Sequence, residues 1–454
     1  MGEKFPTPTL LIVIFFILSR LISTIGYSLR DDPESIRLAS SDYGHILREN
    51  PAAVLYPTSI DEISSLIKFS NLISTPFSIA ARGHGHSTMG QAMAPNGVVV
   101  DMMSLKNHHP SHASGIVVNT FNLSVNNNNY YADVGGGQLW IDVLHATLEH
   151  GLAPVAWTDY LYLTVGGTLS NAGISGSAFR FGPQISNVYE MDVVTGQGDF
   201  VTCSPQNNSD LFFGVLGGLG QFGIITRARI ALEPAPKRVK WVRMLYNDFS
   251  AYARDQERLI SVNGRKQSNA LDYLEGLSFL PGFVFEKDVA YVEFLNRVKS
   301  GEEKLQSQGQ WDVPHPWLNL FVPKSRVSDF DAGVLKGILL KRNITTAPVL
   351  LYPMNRTKWD DRMSAVVPEE EVFYTVGFLH SSGFDEWEAL EEQNKEILKF
   401  CAGVGIEIKQ YLPYYKTQQG WMNHFGSKWK TFQKRKALFD PKKILSPGQR
   451  IFNK

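Results

Sequence analysis

The order of apolar and polar residues from Pro51 onwards predicts alternating strands and helices. Residues 52–56 form a short apolar run that predicts a strand. Ser59 and Glu62 have the spacing of a capping box and predict the start of a helix whose apolar residues recur on one face. The next strand is predicted at residues 77–81 and leads directly into a glycine-rich loop. A ligand at the carboxyl end of such a strand is a common arrangement in folds that mix helices and strands.

Further strands and one helix are predicted before residue 204. The two apolar runs that flank Gly196-Gln197-Gly198 have the signature of a hairpin. Gly151 is expected to end the helix, because glycine is the usual residue just after a helix C-terminus. The predicted strands are residues 98–100, 130–134, 189–195 and 200–203, and the predicted helix is residues 139–150. The pattern therefore indicates a strand-rich domain of mixed α+β type.

A proline-spaced stretch at residues 233–237 predicts a linker between two domains. Beyond it the chain has more aromatic residues and longer helical patterns, such as residues 386–400. We expect a second domain at residues 237–408, followed by a terminal stretch, residues 409–454, rich in Trp, Phe and Lys. Two domains agree with the length of the chain, because 454 residues are too many for one hydrophobic core.

Composition excludes several classes of partner. Lys and Arg number 44 and so do Asp and Glu, so no overall field attracts the protein to nucleic acid or to anionic lipid. The sequence has no basic run and no zinc-ligand spacing, so we expect neither a nucleic-acid partner nor a metal site. The hydrophobic fraction of 43% is ordinary for a globular enzyme.

The N-terminus contains an apolar run, residues 10–18, that is too short to span a bilayer. We expect residues 1–28 to be a signal peptide, with an uncleaved anchor or a poorly ordered tail as the alternative because Arg20 interrupts the pattern. Cys203 and Cys401 allow one disulfide in an oxidising compartment, although two distant cysteines do not establish it. Four sequons permit glycosylation on surface loops, at Asn122, Asn207, Asn343 and Asn355.

The segment from Ala81 to Gln91 places a histidine among glycines directly after the second predicted strand. Glycines let the backbone turn sharply and approach a bulky ligand closely. A histidine between them, His86, is a nucleophilic nitrogen at the place where covalent attachment of a cofactor would occur. The alternative is a structural histidine in a tight turn, and spacing alone does not separate His86 from His84.

Two more loops rich in glycine and hydroxyl residues follow, at residues 163–173 and 217–226. Backbone N–H groups and Thr or Ser hydroxyls in such loops can hold a diphosphate without a lysine. Neither loop is a dinucleotide fingerprint or a P-loop, and close packing between strands also requires glycine. One loop alone is weak evidence, so the order of all three carries the interpretation.

The three loops in this order resemble the vanillyl-alcohol-oxidase-type FAD proteins. Four further motifs are similar to cytokinin dehydrogenase, and the resemblance covers essentially the whole chain after the signal segment. These motifs are residues 157–161, 272–276, 281–288 and 446–449. The resemblance implies an α+β fold with a two-subdomain PCMH-type FAD-binding domain at residues 46–236. It also implies an α+β cytokinin-binding substrate domain at residues 237–408 and a C-terminal stretch, residues 409–454, that returns to the FAD domain.

Carried over by position, the resemblance implies that His86 bonds covalently to the 8α carbon of the flavin. No cysteine matches the second covalent link of bicovalent relatives, so a single tether is expected. The residues implied to line the FAD, besides His86, are Ala81, Gly83, Gly85, Ser87, Gln91, Asp159, Thr164, Ser170, Ile174, Ile224, Tyr411 and Gln449.

The resemblance also implies the reaction, which is oxidative cleavage of the N6 side chain of isopentenyladenine-type cytokinins to adenine and an aldehyde. Asp159 would accept the N–H proton, because an amine on adenine is a poor hydride donor until a base holds its proton. Glu275 would hydrogen-bond the purine edge, and Trp359 would wall the substrate channel. The alternatives are a turn or N-cap role for Asp159, a solvent-facing Glu275 and a core position for Trp359. The implied electron acceptor is a quinone or oxygen, and the implied protein is a secreted monomer of the apoplast, with the endoplasmic reticulum and the vacuole as alternatives.

The sequence departs from the family between Glu275-Gly276 and Pro281-Gly282, where several dozen residues of the substrate domain are missing. Losing interior elements of a sheet exposes strand edges and uncovers apolar faces. We expect the FAD domain to survive and the substrate domain to be misfolded, rearranged or compact. A skipped exon and a genuine variant with impaired turnover both remain open. A flavoprotein oxidase of another small substrate is the further alternative.

Overall fold

The structure is a computed structural model. It describes residues 28–105, 115–120, 130–265, 270–278, 285–342 and 349–452. Residues 1–27 of the expected signal peptide and the sequon residues Asn122 and Asn343 lie outside the described residues.

A four-stranded sheet forms the first unit, with strand order β1-β2-β4-β3. Strand β4 pairs in parallel with both β2 and β3, and β1 pairs antiparallel with β2. Its strands are β1 (Leu29–Arg30), β2 (Ala53–Leu55), β3 (Ile79–Arg82) and β4 (Val98–Asp101), and its helices are α1 (Pro33–Ala39), α2 (Ile60–Leu72) and α3 (Met102–Leu105). The predicted strands and helix of this unit are confirmed, and the parallel pairs bring the carboxyl ends of β3 and β4 side by side.

Helix α2 begins as its sequence predicts, with one change in the capping. The Ser59 hydroxyl accepts a hydrogen bond from the Glu62 N–H at 3.3 Å. The Glu62 carboxylate accepts from the Thr58 N–H at 2.6 Å, one residue earlier than the capping box requires. The predicted apolar face is buried in the core, and it consists of Ile63, Leu66 and Ile67.

A six-stranded antiparallel sheet forms the second unit. Its order is β5-β6-β10-β8-β9, with β7 paired to β10. Its strands are β5 (Ile116–Asn119), β6 (Tyr130–Gly135), β7 (Leu152–Pro154), β8 (Val188–Thr195), β9 (Phe200–Cys203) and β10 (Gly223–Pro234), and its helices are α4 (Trp140–Leu148), α5 (Val165–Leu169), α6 (Ala178–Phe181) and α7 (Ser209–Val215). The predicted hairpin is confirmed, because β8 and β9 pair antiparallel on either side of the Gly196–Gly198 turn.

The chain then forms a two-stranded sheet, β11 (Arg238–Arg243) with β13 (Phe285–Ala290). A five-stranded antiparallel sheet follows, in the order β12-β15-β16-β14-β17. Its strands are β12 (Leu277–Ser278), β14 (Leu318–Pro323), β15 (Val349–Asn355), β16 (Val372–Phe378) and β17 (Lys409–Tyr411). The helices here are α8 (Phe249–Ile260), α9 (Val262–Arg265), α10 (Tyr291–Leu295), α11 (Arg297–Ser307), α12 (Val327–Phe330), which continues as a π-helix (Asp331–Leu339), and α13 (Trp387–Gly403).

The last part of the chain contains α14 (Gln418–Phe425) and α15 (Trp429–Phe439) and then packs against β3. The Ile79 N–H donates to the Ile444 carbonyl and the Ser446 N–H donates to the Ile79 carbonyl, each at 2.8 Å. Just before this contact, the buried Lys436 ammonium lies 2.8 Å from the Asp440 carboxylate. The end of the chain therefore lies beside the strand that carries the histidine loop.

The structure decides two points about the cysteines and the sequons that the sequence left open. Cys203 and Cys401 are both free and lie in separate hydrophobic cores, so they form no disulfide with each other. Asn355 lies in β15 rather than in a surface loop, and its side-chain amide donates to the Phe179 carbonyl at 2.8 Å.

Among the described residues, no helix has both the length and the apolar character that crossing a membrane requires.

Candidate active site

A cavity of about 2010 Å³ lies where the three large sheets and the C-terminal stretch meet. The residues predicted to bind the cofactor and to perform catalysis all line this one cavity, although they come from distant parts of the chain. They are Ala81, Gly83, Gly85, His86, Ser87, Gln91, Asp159, Thr164, Ser170, Ile174, Ile224, Glu275, Tyr411 and Gln449. The cavity is large enough to hold a dinucleotide together with a small substrate.

Glycine is required at several points of the cavity wall because neighbouring chain segments approach closely. A Cβ atom on Gly83 would lie 2.0 Å from the Thr164 hydroxyl oxygen, and one on Gly136 would lie 2.0 Å from the Ile225 carbonyl. A Cβ on Gly448 would lie 2.1 Å from the Gly90 carbonyl, so the C-terminal turn touches the histidine loop. These contacts bring the three glycine loops and the C-terminus around one narrow space.

The His86 side chain lies in a stack of aromatic rings. Its ring centroid is 4.0 Å from that of Tyr43, with the planes 20° apart, and 4.9 Å from that of Tyr160. Burial, with the nearby His84 and His315 as smaller causes, lowers the pKa of His86 to about 3. The imidazole is therefore neutral near pH 7 and keeps a nucleophilic nitrogen. His84 in the same loop lines the same cavity and is more exposed than His86, so exposure does not separate the two histidines.

Residues that the local sequence did not reveal complete this stack. The Tyr43 N–H donates to the Gly85 carbonyl at 2.8 Å, which fixes Tyr43 against the loop. His315 stacks on the other face of Tyr43 at 4.0 Å. The Ser381 hydroxyl lies 2.9 Å from His315 Nδ1 and the Trp311 carbonyl lies 2.9 Å from Nε2, so Nε2 carries the proton. Tyr43 and His315 stand far from His86 in sequence, and no spacing rule connects them.

The predicted carboxylates Asp159 and Glu275 meet at the other side of the cavity around Arg297. Arg297 Nη2 lies 2.9 and 3.0 Å from the two Glu275 oxygens and 3.3 Å from Asp159 Oδ1. The Tyr273 hydroxyl donates to the same Asp159 oxygen. Asp159 keeps 26% of its side-chain surface exposed to the cavity, and Glu275 keeps 20%. Neither carboxylate caps a helix or faces open solvent.

The environment separates the pKa values of the two acids. Burial, followed by the negative charge of Glu275, raises the pKa of Asp159 well above its ordinary value. Burial also acts to raise the pKa of Glu275, but the charge of Arg297 and hydrogen bonds from its neighbours outweigh burial and lower it. Asp159 therefore holds a proton more readily than Glu275, and two such acids can divide base and binding roles between them.

Tyr411 and Gln449 reach the cavity from the C-terminal part of the chain. The backbone N–H groups of Gly173 and Ile174 face the Tyr411 hydroxyl, and Tyr411 lies in β17. Gln449 is buried in a short turn, and its Oε1 atom has no hydrogen-bond partner among the described residues. An unpartnered buried amide oxygen beside a glycine-lined cavity fits a ligand that carries N–H donors, as the isoalloxazine of FAD does.

The interpretation of Trp359 as a channel wall is wrong. Trp359 is buried away from the cavity and packs against Phe321 and Phe373, with ring centroids 5.8 and 6.0 Å apart. The structure supports the alternative, in which Trp359 is a core residue. Within the described part of the chain, no cluster of three or more His, Cys, Asp or Glu side chains could hold a metal ion.

Two family models match the chain. The model for an FAD binding domain matches residues 51–204. The model described as cytokinin dehydrogenase 1, FAD and cytokinin binding, matches residues 236–280 and 275–452. The second match divides at the motif that carries Glu275, which is where the sequence is shorter than expected.

Curated relatives extend over nearly the whole chain. Cytokinin dehydrogenase 3 of Arabidopsis thaliana is 51% identical over 94% of this chain and 90% of its own length. Cytokinin dehydrogenase 10 of Oryza sativa subsp. japonica is 49% identical over 93% of this chain and 88% of its own length. A VAO-type flavoprotein of Myceliophthora thermophila has the same fold, with a TM-score of 0.68 at 14% identity over 98% of this chain and 95% of that structure's chain.

The alignment with the Arabidopsis relative also shows the shortening. It spans 488 positions although it includes only 94% of the 454 residues of this chain. The relative therefore has several dozen positions that this chain lacks. Met244 and Leu245, which follow β11, are 53% and 54% exposed and line the cavity.

Proposed function

This chain belongs to the cytokinin dehydrogenase family, and from that membership we propose which of its residues perform the FAD-dependent oxidation of a cytokinin. The chain is an FAD-dependent oxidoreductase of VAO-type fold, and its substrate is a small-molecule cytokinin. The main support for the residue assignment is that Asp159 and Glu275 lie together in the cavity that His86 also lines. It favours cytokinin turnover over oxidation of another small substrate.

His86 is proposed to hold the FAD through a covalent bond. Its neutral ring, its glycine neighbours and the stacked Tyr43 support this assignment. The unpartnered Gln449 oxygen and the close packing of Gly83 on Thr164 support an FAD site in the same cavity. When bound, the flavin supplies the acceptor for the hydride that leaves the carbon next to the substrate amine.

Asp159 is proposed to accept the N–H proton of the N6 amine. A carboxylate with a raised pKa is a stronger base and suits proton transfer near neutral pH. Glu275 stays ionised beside Arg297 and is proposed to accept a hydrogen bond from the purine edge, which holds the adenine in register. The products are adenine and an unsaturated aldehyde, after hydrolysis of the imine.

The setting of the reaction is also a proposal. The apolar run at residues 10–18 and the exposed sequon residue Asn207 support entry into the secretory pathway and glycosylation. We expect an apoplastic monomer, with the endoplasmic reticulum and the vacuole as alternatives. The expected electron acceptor is a quinone or oxygen, as the family resemblance implies.

The test compares Asp159→Asn with Glu275→Gln in adenine formation from isopentenyladenine, followed by chromatography. Asp159→Asn should lower kcat by about 10²- to 10⁴-fold without loss of bound FAD, because it removes the base and little else. Glu275→Gln should act mainly on KM. Asp272→Asn is the matched control, since Asp272 is 75% exposed and pairs with Arg180. An Asp159→Asn variant within tenfold of the wild-type kcat would overturn the assignment.

A further inference from the structure

Arg297 occupies the first position of α11 and lies beneath the two carboxylates of the cavity. Its guanidinium carbon is 4.8 Å from the ring centroid of Tyr273 and 4.9 Å from that of Phe294, so it packs against two aromatic rings that also contact each other. Only 12% of its side-chain surface is exposed. This packing leaves the guanidinium little freedom and fixes its distance from both acids.

Arg297 therefore contacts both Asp159 and Glu275, but it contacts Glu275 more closely. Nη2 contacts both Glu275 oxygens at 2.9 and 3.0 Å but reaches only one Asp159 oxygen, at 3.3 Å. The same atom lies 2.8 Å from the Tyr273 hydroxyl, which donates to Asp159. Because Coulomb energy falls with distance and hydrogen bonds add to it, the negative charge is better stabilised on Glu275.

Titratable groups on the neighbouring strands do not change which of the two acids holds the negative charge better. Tyr352 of β15 and Tyr411 of β17 interact electrostatically with Asp159, as does Tyr273. Burial raises the pKa of all three phenols, so they stay neutral over the working pH range. The charges that act on Asp159 are therefore those of Glu275 and Arg297.

We propose that Arg297 is a positioning residue that holds the charge on Glu275 and so makes Asp159 the acid that exchanges a proton during turnover. This inference rests on the proposed roles of Asp159 and Glu275 and adds the residue that assigns those roles. Arg297 acts through the two carboxylates and transfers no proton itself, because a guanidinium stays charged in proteins.

The proposal predicts opposite shifts in the pH dependence of kcat/KM for two variants. The acid limb, which is the rise in kcat/KM at low pH, reports the pKa of the base in the free enzyme. Activity rises as pH increases through the pKa of Asp159. Arg297→Gln removes a positive charge about 3.3 Å from Asp159, so the acid limb should move to higher pH by about 1 unit or more. Glu275→Gln removes the neighbouring negative charge, so the acid limb should move to lower pH.

The experiment measures kcat/KM against pH with isopentenyladenine for the holoenzyme and its variants, after visible spectra and thermal unfolding have confirmed folding. Arg297→Lys keeps the positive charge but loses the fork of N–H donors, so its acid limb should move by less than about 1 unit, and a shift of about 1 unit or more would overturn the proposal. Arg258→Gln is the matched control, because Arg258 is 54% exposed, pairs with Asp255 and is not among the residues that line the cavity.

The proposal fails if the Arg297→Gln limb does not move, or if it moves in the same direction as the Glu275→Gln limb. If Arg297→Gln does not fold, the shifts of the acid limb in Arg297→Lys and Glu275→Gln test the proposal instead. A failure of the proposed function looks different. In that case the Asp159→Asn variant keeps both its activity and the wild-type acid limb. This result does not depend on the results for the Arg297 variants.

Discussion

The imidazole ring of His86 stacks on the phenol ring of Tyr43, with centroids 4.0 Å apart and planes inclined by 20°. Tyr160 and His315 extend the stack on its two sides, at 4.9 Å from His86 and 4.0 Å from Tyr43. Residues from three distant segments thus hold the His86 side chain in place. A nucleophile fixed in this way loses little freedom when it forms a bond.

The covalent tether is testable by comparing the two histidines of the loop. His86→Ala should abolish the flavin fluorescence that stays with the polypeptide on a denaturing gel, because the attaching nitrogen is gone. His84→Ala should keep that fluorescence, since His86 is the proposed site of attachment. Retained fluorescence in His86→Ala, or its loss in His84→Ala alone, would contradict the assignment.

Gly83→Ala should lower the amount of FAD that purifies with the protein. The added Cβ would lie 2.0 Å from the Thr164 hydroxyl oxygen, so the two cavity loops would have to separate. Gly301→Ala is the control, because nothing lies within 4 Å of a Cβ there. Its FAD content, measured by visible absorbance per polypeptide, should equal that of wild type. Equal FAD content in Gly83→Ala would show that the loops do not need this close contact.

Asp42 beneath the histidine loop should make stability depend on pH. Its carboxylate accepts from the Ser87 hydroxyl and the Gly90 N–H, yet burial raises its pKa to about 6. Because the folded pKa exceeds the unfolded pKa, its stabilising contribution is complete below about pH 4 and is lost as pH rises through about 6. Asp42→Asn removes this dependence and should accept the same two hydrogen bonds.

Denaturant unfolding of wild type and Asp42→Asn at several pH values measures the effect. The variant should gain about 2 to 3 kcal/mol relative to wild type between pH 4 and pH 7.5, from a shift of about two units at 1.36 kcal/mol each. A difference that does not change with pH would show that Asp42 is not a buried charge at neutral pH.

Glycosylation should distinguish the two sequon asparagines that the structure describes. Asn207 is exposed in a turn, whereas the Asn355 amide is committed to the Phe179 carbonyl inside β15. In a secretory host, Asn207→Gln should lose a glycan-dependent mobility shift on a gel. Asn355→Gln should keep that shift and lower the unfolding midpoint. A glycan on Asn355 would contradict the burial of this strand.

Local signals predicted the glycine loops of the cavity, whereas the full set of lining residues came from the family resemblance. Glycines and hydroxyls at strand ends, such as Gly83 and Thr164, mark positions where backbones approach closely, and such positions can be identified from a few neighbouring residues. Six strands before residue 204 were predicted for the same reason, because alternation and turn residues act over short distances, but β1, β5 and β7 were not predicted.

The remaining features depend on contacts between distant segments. Arg297 was missed since an arginine at a helix start gives no sign that it will face Glu275 and Asp159. Trp359 was placed wrongly because its neighbours do not tell a channel wall from a core. The disulfide was left open for a similar reason, because only the fold places Cys203 in a different core from Cys401.

The central claim is that the shortened substrate domain still presents a cytokinin amine to Asp159 beside a bound flavin. The most direct measurement mixes the purified holoenzyme with isopentenyladenine in the absence of oxygen and follows the visible absorbance of the flavin. Our account predicts that the yellow colour bleaches as the substrate is oxidised and that adenine appears in matching amount. A yellow protein that never bleaches would contradict the claim.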